Sequence, residues 1–110
     1  MLKTDSMLEQ EKRRSVVILG RRDYILQALG DIVKKQDCDV HLCNSDSEAM
    51  RMMKSTQANV LLLSGGVEPN SRIALKTFIA EKCPQSQVME HFGGPATLVE
   101  ELKVAFELSV

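Results

Sequence analysis

Short apolar runs alternate along this chain with longer stretches in which apolar residues recur every three or four positions. The first run, SVVILG at residues 15–20, is rich in β-branched residues and flanked by charge. So short a run without polar alternation predicts a strand buried on both faces. Asp23 is then placed to cap a helix whose residues Ile25, Leu26, Leu29, Ile32 and Val33 share one stripe. DVHLCN, from residue 39, sends Val40 and Leu42 to one face and His41 and Cys43 to the other, as a half-exposed strand does. SDSE, Ser45 to Glu48, has the form of a capping box. The helix it opens carries Ala49, Met50 and Met53 inward and turns Met52 elsewhere, where a methionine makes a small adhesive patch.

NVLLLSGG, residues 59–66, is the most hydrophobic run and predicts a third buried strand. After a turn around Pro69, SRIALKTFIAEKC brings Leu75, Phe78 and Ile79 together on a helix that Pro84 stops. SQVMEHFGG supplies a fourth strand. Pro95 suits a first helical position, and Leu98, Leu102, Ala105 and Phe106 form the last stripe, with Glu100 and Glu101 toward the positive end of that helix.

Strict alternation of strand and helix implies a parallel sheet with right-handed crossovers and helices on both faces, a three-layer α/β sandwich. Strands one and three are apolar throughout and belong in the centre; strands two and four carry His41, Glu90 and His91 and belong at the edges. The order 2-1-3-4 satisfies both conditions. It is the flavodoxin-like order short of its last unit. Residues 1–14 have mixed charge and weak periodicity and are expected to form a tail or a short extra helix, with one domain over residues 15–110.

Composition narrows the function classes. With 110 residues the chain is one domain by size, and a formal net charge of −1 gives no basic field for nucleic acid. No apolar run approaches a membrane span, and the N-terminal segment lacks the apolar core of a secretory signal, which makes the cytoplasm the default location. Cys38, Cys43 and Cys83 follow neither a redox nor a zinc spacing and are expected as small apolar residues of the interior. No metal and no cofactor is expected.

Candidate chemistry collects at the carboxyl ends of the strands, where open α/β sheets bind ligands. Arg21 and Arg22 follow strand one; Ser64, Gly65 and Gly66 follow strand three; His91, Gly93 and Gly94 follow strand four. Two arginines, two glycine pairs and a helix N-terminus make an anion site one reading, for phosphate, nucleotide or carboxylate. The other is that the glycines make tight turns at positive φ while the arginines are solvated. For His91 the readings are a hydrogen-bonded structural residue, a ligand-orienting group, and a general base or phosphate carrier. Glu90 and His91 are adjacent strand residues and point to opposite faces.

These features together resemble the receiver domain of bacterial response regulators. LLLSGGVEPNS followed by HFGGPATLVEEL is similar, more narrowly, to short receiver-like proteins with glycine-rich turns after strands three and four. The resemblance implies where phosphorylation chemistry would sit, and the residues there depart from it. The two acids that hold Mg²⁺ after strand one fall on Gly20 and on Arg21 or Arg22. The phosphoacceptor aspartate falls on Ser64, and EHFGG stands where a lysine-proline turn would be. Arginine in place of a magnesium-binding carboxylate repels the metal.

The expectation is therefore a pseudo-receiver, not an enzyme, that acts in signalling by binding a protein partner or a second copy of itself. The contact is expected through the strand-four edge, with Val88, Met89 and Phe92, or through the last helix, and with neither nucleic acid nor membrane. The alternative is a small-ligand domain for a phosphate, a nucleotide or a cobalamin-like molecule on the glycine-rich loops. A resemblance to cobalamin-binding domains would place a histidine after strand one, and LGRRDYILQALG contains none. Phosphotransferase domains of this topology would place a cysteine there, where Gly20 and Arg21 stand.

Overall fold

A computed structural model describes residues 13–93 and 95–108. The elements follow in the order β1 (Ser15–Leu19), α1 (Asp23–Lys34), β2 (Asp39–Cys43), α2 (Asp46–Thr56), β3 (Val60–Leu63), α3 (Pro69–Lys82), β4 (Gln87–Glu90) and α4 (Pro95–Leu108). All neighbouring strands are parallel, and the sheet order is β2-β1-β3-β4, as the strand compositions require. Among the described residues no helix is long and apolar enough to cross a membrane.

The central strands divide their side chains between two cores with the period of two that a strand imposes. Val16, Ile18, Val60 and Leu62 face α1 and α4 and meet Leu26, Leu29, Val33, Leu98 and Leu102. Val17, Leu19, Leu61 and Leu63 face α2 and α3 and meet Ala49, Met53, Leu75 and Ile79. Every residue of β3 is inaccessible to solvent, which is the physical reason its sequence contains no polar position. The first and last helices lie side by side on one face, and α2 and α3 on the other, as right-handed crossovers dictate.

Several local expectations change. Asp23 is the first helical residue of α1, with Arg22 in the N-cap position and no side-chain cap. Ile25 stands at the exposed border of the α1 stripe. Ser45 does cap α2, accepting from the Glu48 N–H at 3.2 Å. Met52 is half-buried against the core with Met50, so the sheet claims the methionine patch expected on the surface. Pro69 is already inside α3, at its first turn, where a missing N–H costs nothing. Glu100 and Glu101 lie beyond the first turn of α4, which holds no acid.

No described glycine adopts positive φ, contrary to the tight-turn expectation; Asp37 (φ 63°) and Gln57 (φ 50°) do. Gln57 closes α2 in the left-handed conformation, its N–H donating to the Met53 carbonyl at 3.0 Å. Cys38 and Cys43 are buried and Cys83 is half-buried. Burial pushes the Cys43 thiol up to about 11 and raises Cys38 as well, so both are kept protonated and unreactive. The expected tail or helix at residues 1–14 falls outside the described residues except for Arg13 and Arg14. Arg13 pairs with Asp39, and Arg14 lies 4.9 Å from the Phe106 ring centroid.

Candidate functional site

Parallel strands deliver their following residues to one rim of the sheet. Three backbone bonds carry the ladder one step past the strands: Gly20 N–H to Cys43 O, Ser64 N–H to Leu19 O and His91 N–H to Leu63 O, at 3.0–3.1 Å. Gly20, Ser64 and His91 therefore stand in a row across the ends of β1, β3 and β4. Gly20 is tightly enclosed: a Cβ there would come 3.2 Å from Ser64 Oγ and 3.3 Å from Leu26 Cδ1. Any larger residue, an acid included, displaces one of those groups.

Arg21 does not face an empty anion site. Its Nε donates to Glu68 Oε1 at 2.9 Å, its Nη1 to the Asn44 carbonyl at 3.0 Å, and its Nη2 to Asp46 Oδ1 at 2.7 Å and Ser71 Oγ at 3.2 Å. Ser71 Oγ donates in turn to the other oxygen of Asp46. One guanidinium thus ties together the loops after β1, β2 and β3. The Asp46 bond is the main reason the Arg21 pKa is raised, against partial burial and with help from Glu68. Burial works to raise Asp46, but hydrogen bonds from Ser71 and Arg21 outweigh it and lower its pKa. Glu68 is lowered by its own backbone N–H and by Arg21. Two carboxylates already balance this cation. The paired-arginine anion pocket expected from sequence consequently loses its better-placed member, while Arg22 is exposed and donates to the Tyr24 hydroxyl at 3.3 Å.

A second cation, Arg72, escaped sequence reading altogether. It is only 8% exposed. Its Nε donates to the Val67 carbonyl at 2.7 Å, its Nη2 to the Ser64 carbonyl, and its Nη1 to Glu90 Oε1 at 3.0 Å. The Phe92 ring lies over it with 4.6 Å from Cζ to the centroid. Lys76 holds the other oxygen of Glu90 at 2.8 Å and is the largest cause of that carboxyl's lowered pKa, with Arg72 adding to it. The signal was present in the pattern. Position 72 lies on the same helical stripe as the buried Leu75 and Ile79, so α3 aims a charged residue at the core.

Glu90 and His91 diverge as their adjacency requires. Glu90 turns to α3, and His91, 4% exposed, turns to α4, where Nδ1 lies 2.7 Å from Glu101 Oε1. Among the residues expected at a strand-four interface, Met89 is buried in the α1/α4 core and Val88 packs half-buried toward α2 and α3. Phe92, 70% exposed, is the only one of the three that is largely open to solvent. Gly94 lies outside the described residues. Gly65 and Gly66 are exposed, with nothing closer than 3.9 Å to a Cβ built at either.

Between α1 and the loops after β3 and β4 lies a cleft of about 570 Å³. Tyr24, Ile25, Ala28 and Ile32 form one wall, and residues 64–66 and 91–93 the other. The rim thus brings Arg21, Arg22, Ser64, Gly65, Gly66, His91 and Gly93 to one place, yet its lining is largely apolar. Among the described residues no group of three or more His, Cys, Asp or Glu side chains converges as a metal site.

Comparison with known proteins agrees with this architecture. The chain is similar in structure to the signal receiver domain of an HD domain-containing protein from Pseudomonas fluorescens Pf-5. The TM-score is 0.60 at 12% identity, over 86% of this chain and 88% of that one. It is also similar to the signal receiver domain of a putative LuxO repressor protein from Vibrio parahaemolyticus, with a TM-score of 0.58 at 10% identity over 88% and 92% of the two chains. No protein-family model and no curated protein matches the sequence. The fold is receiver-like.

Proposed function

We propose that this chain is a non-catalytic receiver-like module that works in signalling by contact with another protein, without aspartyl phosphorylation. One observation carries this proposal. At the rim where the resemblance to receivers puts two acids and a phosphoacceptor stand Gly20, Arg21 and Ser64, with the Arg21 guanidinium fixed between Asp46 and Glu68. Magnesium is held by carboxylate oxygens, and a resident cation bonded to the nearest acids both occupies those oxygens and repels a divalent ion. The serine hydroxyl at position 64 lacks the carboxylate that aspartyl phosphorylation needs.

The contact surface follows from backbone geometry. In β4 the N–H groups of Gln87 and, just past the strand, His91 point inward to Asn59 and Leu63. By the two-residue alternation of a strand, the N–H groups of Val88 and Glu90 point outward from a sheet edge that pairs with no other described strand. Unpaired outward groups of this kind are templates for another strand, and a second copy of this chain offers the same edge. Size-exclusion chromatography with light scattering is expected to show a concentration-dependent dimer. Val88→Pro removes one outward donor while leaving the ladder to β3 intact, and is expected to be monomeric with unchanged circular dichroism. A wild-type chain that stays monomeric at high concentration would contradict self-association through this edge.

A further inference from the structure

The cleft beside α1 has a feature that a mere gap between elements lacks: two deeply buried polar groups that open onto it unused. Ser64 is 3% exposed and His91 4% exposed, and both line the cleft. Among the described residues the Ser64 hydroxyl has no hydrogen-bond partner, and of the His91 ring only Nδ1 is engaged, by Glu101. Neither side chain nevertheless leaves a fully sealed polar atom unpaired, so each reaches the space in front of it. Polar groups that open onto a cleft are satisfied by water or by a ligand that takes its place, and two of them on one largely apolar cleft give such a ligand its polar anchor.

The remaining walls define what that partner is. Tyr24 and Phe92, 68% and 70% exposed, line the cleft together with Ile25 and Ala28, and the Phe92 ring carries Arg72 over one face, which leaves the other face for a ligand. The volume of about 570 Å³ lies within the range of about 300–1,000 Å³ that small-molecule sites occupy. Glycine at 65 and 66 keeps the opposite wall low, since both are exposed and carry no side chain to fill the space. The charges nearest the buried end are taken up within the protein: Arg21 is committed to Asp46 and Glu68, the carboxylate of Glu101 stands behind His91, and the remaining cation, Arg22, is held at the exposed rim, where it donates to the Tyr24 hydroxyl. An anionic head facing His91 would meet that carboxylate field. A hydroxyl both donates and accepts and so satisfies Ser64 Oγ and His91 Nε2 together.

We infer that the cleft is a binding site for a flat, uncharged, largely aromatic small molecule bearing a hydroxyl group, its ring between Tyr24 and Phe92 and its hydroxyl on Ser64 and His91. This goes beyond the partner-binding role proposed above and is independent of it. It also replaces the phosphate or nucleotide that the glycine-rich loops suggest from sequence.

Amide NMR titration of the full chain tests it, with 2-naphthol as probe, naphthalene-2-carboxylate as its charged counterpart and inorganic phosphate as the bare anion. 2-Naphthol is expected to shift the resonances of Gly65, Gly66, Phe92 and Gly93 and of the facing turn of α1. The carboxylate is expected to bind at least several-fold more weakly, and phosphate to leave these resonances in place. Ala28→Trp fills the cleft from an exposed helix position and is expected to abolish the shifts. Ser64→Ala is expected to weaken 2-naphthol about three- to tenfold, as loss of one hydrogen bond does. The inference is overturned if phosphate or the carboxylate shifts these residues as strongly as 2-naphthol, or if 2-naphthol leaves them in place. Unchanged 2-naphthol binding in both variants also overturns it, as does movement of the Gly65, Gly66 and α1 resonances with protein concentration in the edge variant Val88→Pro, which assigns the cleft rather than the β4 edge to a second copy.

Discussion

Arg72→Ala is expected to destabilise the fold by about 3 kcal/mol, because it deletes the cation of a buried ion pair and strips two carbonyls of their donor. The carbonyls are those of Ser64 and Val67, in the turn that carries the chain from β3 into α3. Glu90 keeps Lys76 and so is not left without a cation, which holds the loss below that of a wholly orphaned charge. For a domain of this size the loss lowers the melting temperature by roughly 12–24 °C. Arg72→Lys retains the charge but not the planar fork that reaches Val67, Ser64 and Glu90 at once, and is expected to recover only part of the difference. Thermal and urea denaturation followed by circular dichroism measure both variants. A change of less than about 1 kcal/mol in Arg72→Ala would show that the network is not structural, since exposed pairs contribute no more than that.

Leu62→Ala is expected to cost about 3 kcal/mol by a different route, the loss of buried methyl groups and the cavity left behind. Leu62 lies in a central strand, is fully buried, and packs in the core closed by α1 and α4. Leu42 provides the contrast, since it sits on edge strand β2, is 37% exposed, and has the backbone of Gly30 as a close neighbour. Leu42→Ala is expected to cost less than about 1 kcal/mol, because solvent already reaches the side chain and fills the space it leaves. Urea midpoints of the two variants order the strands experimentally. Equal losses would contradict the placement of β3 at the centre and β2 at the edge.

The architecture was legible because burial leaves a direct trace in composition. A strand covered on both faces excludes polar residues, so VVIL and VLLL identify themselves as central, while the His41 and Glu90 strands identify themselves as edges. The rim was legible as a place but not as a chemistry. Arg21, Asp46, Glu68 and Ser71 come from four separated points of the chain, and only the fold brings them within hydrogen-bond distance. Sequence therefore showed an arginine without showing that it was already neutralised. His91 and Glu101 are ten residues apart on different elements, and no spacing rule links a strand end to the second turn of the following helix. Arg72 is the instructive omission. It lies on the stripe of Leu75 and Ile79, but apolar periodicity marks only the apolar members of a stripe, and nothing in the spacing shows that carbonyls of the β3–α3 turn and Glu90 wait for a buried guanidinium there.

The central claim is that this receiver-like rim has exchanged acid chemistry for a fixed cation, and phosphotransfer addresses it most directly. The full chain is incubated with acetyl phosphate and MgCl₂ and its intact mass recorded beside a phosphorylatable receiver domain treated identically. The predicted result is an unmodified mass where the control acquires a phosphoryl group. A stoichiometric, magnesium-dependent phosphoryl adduct on an aspartate of this chain would contradict the account.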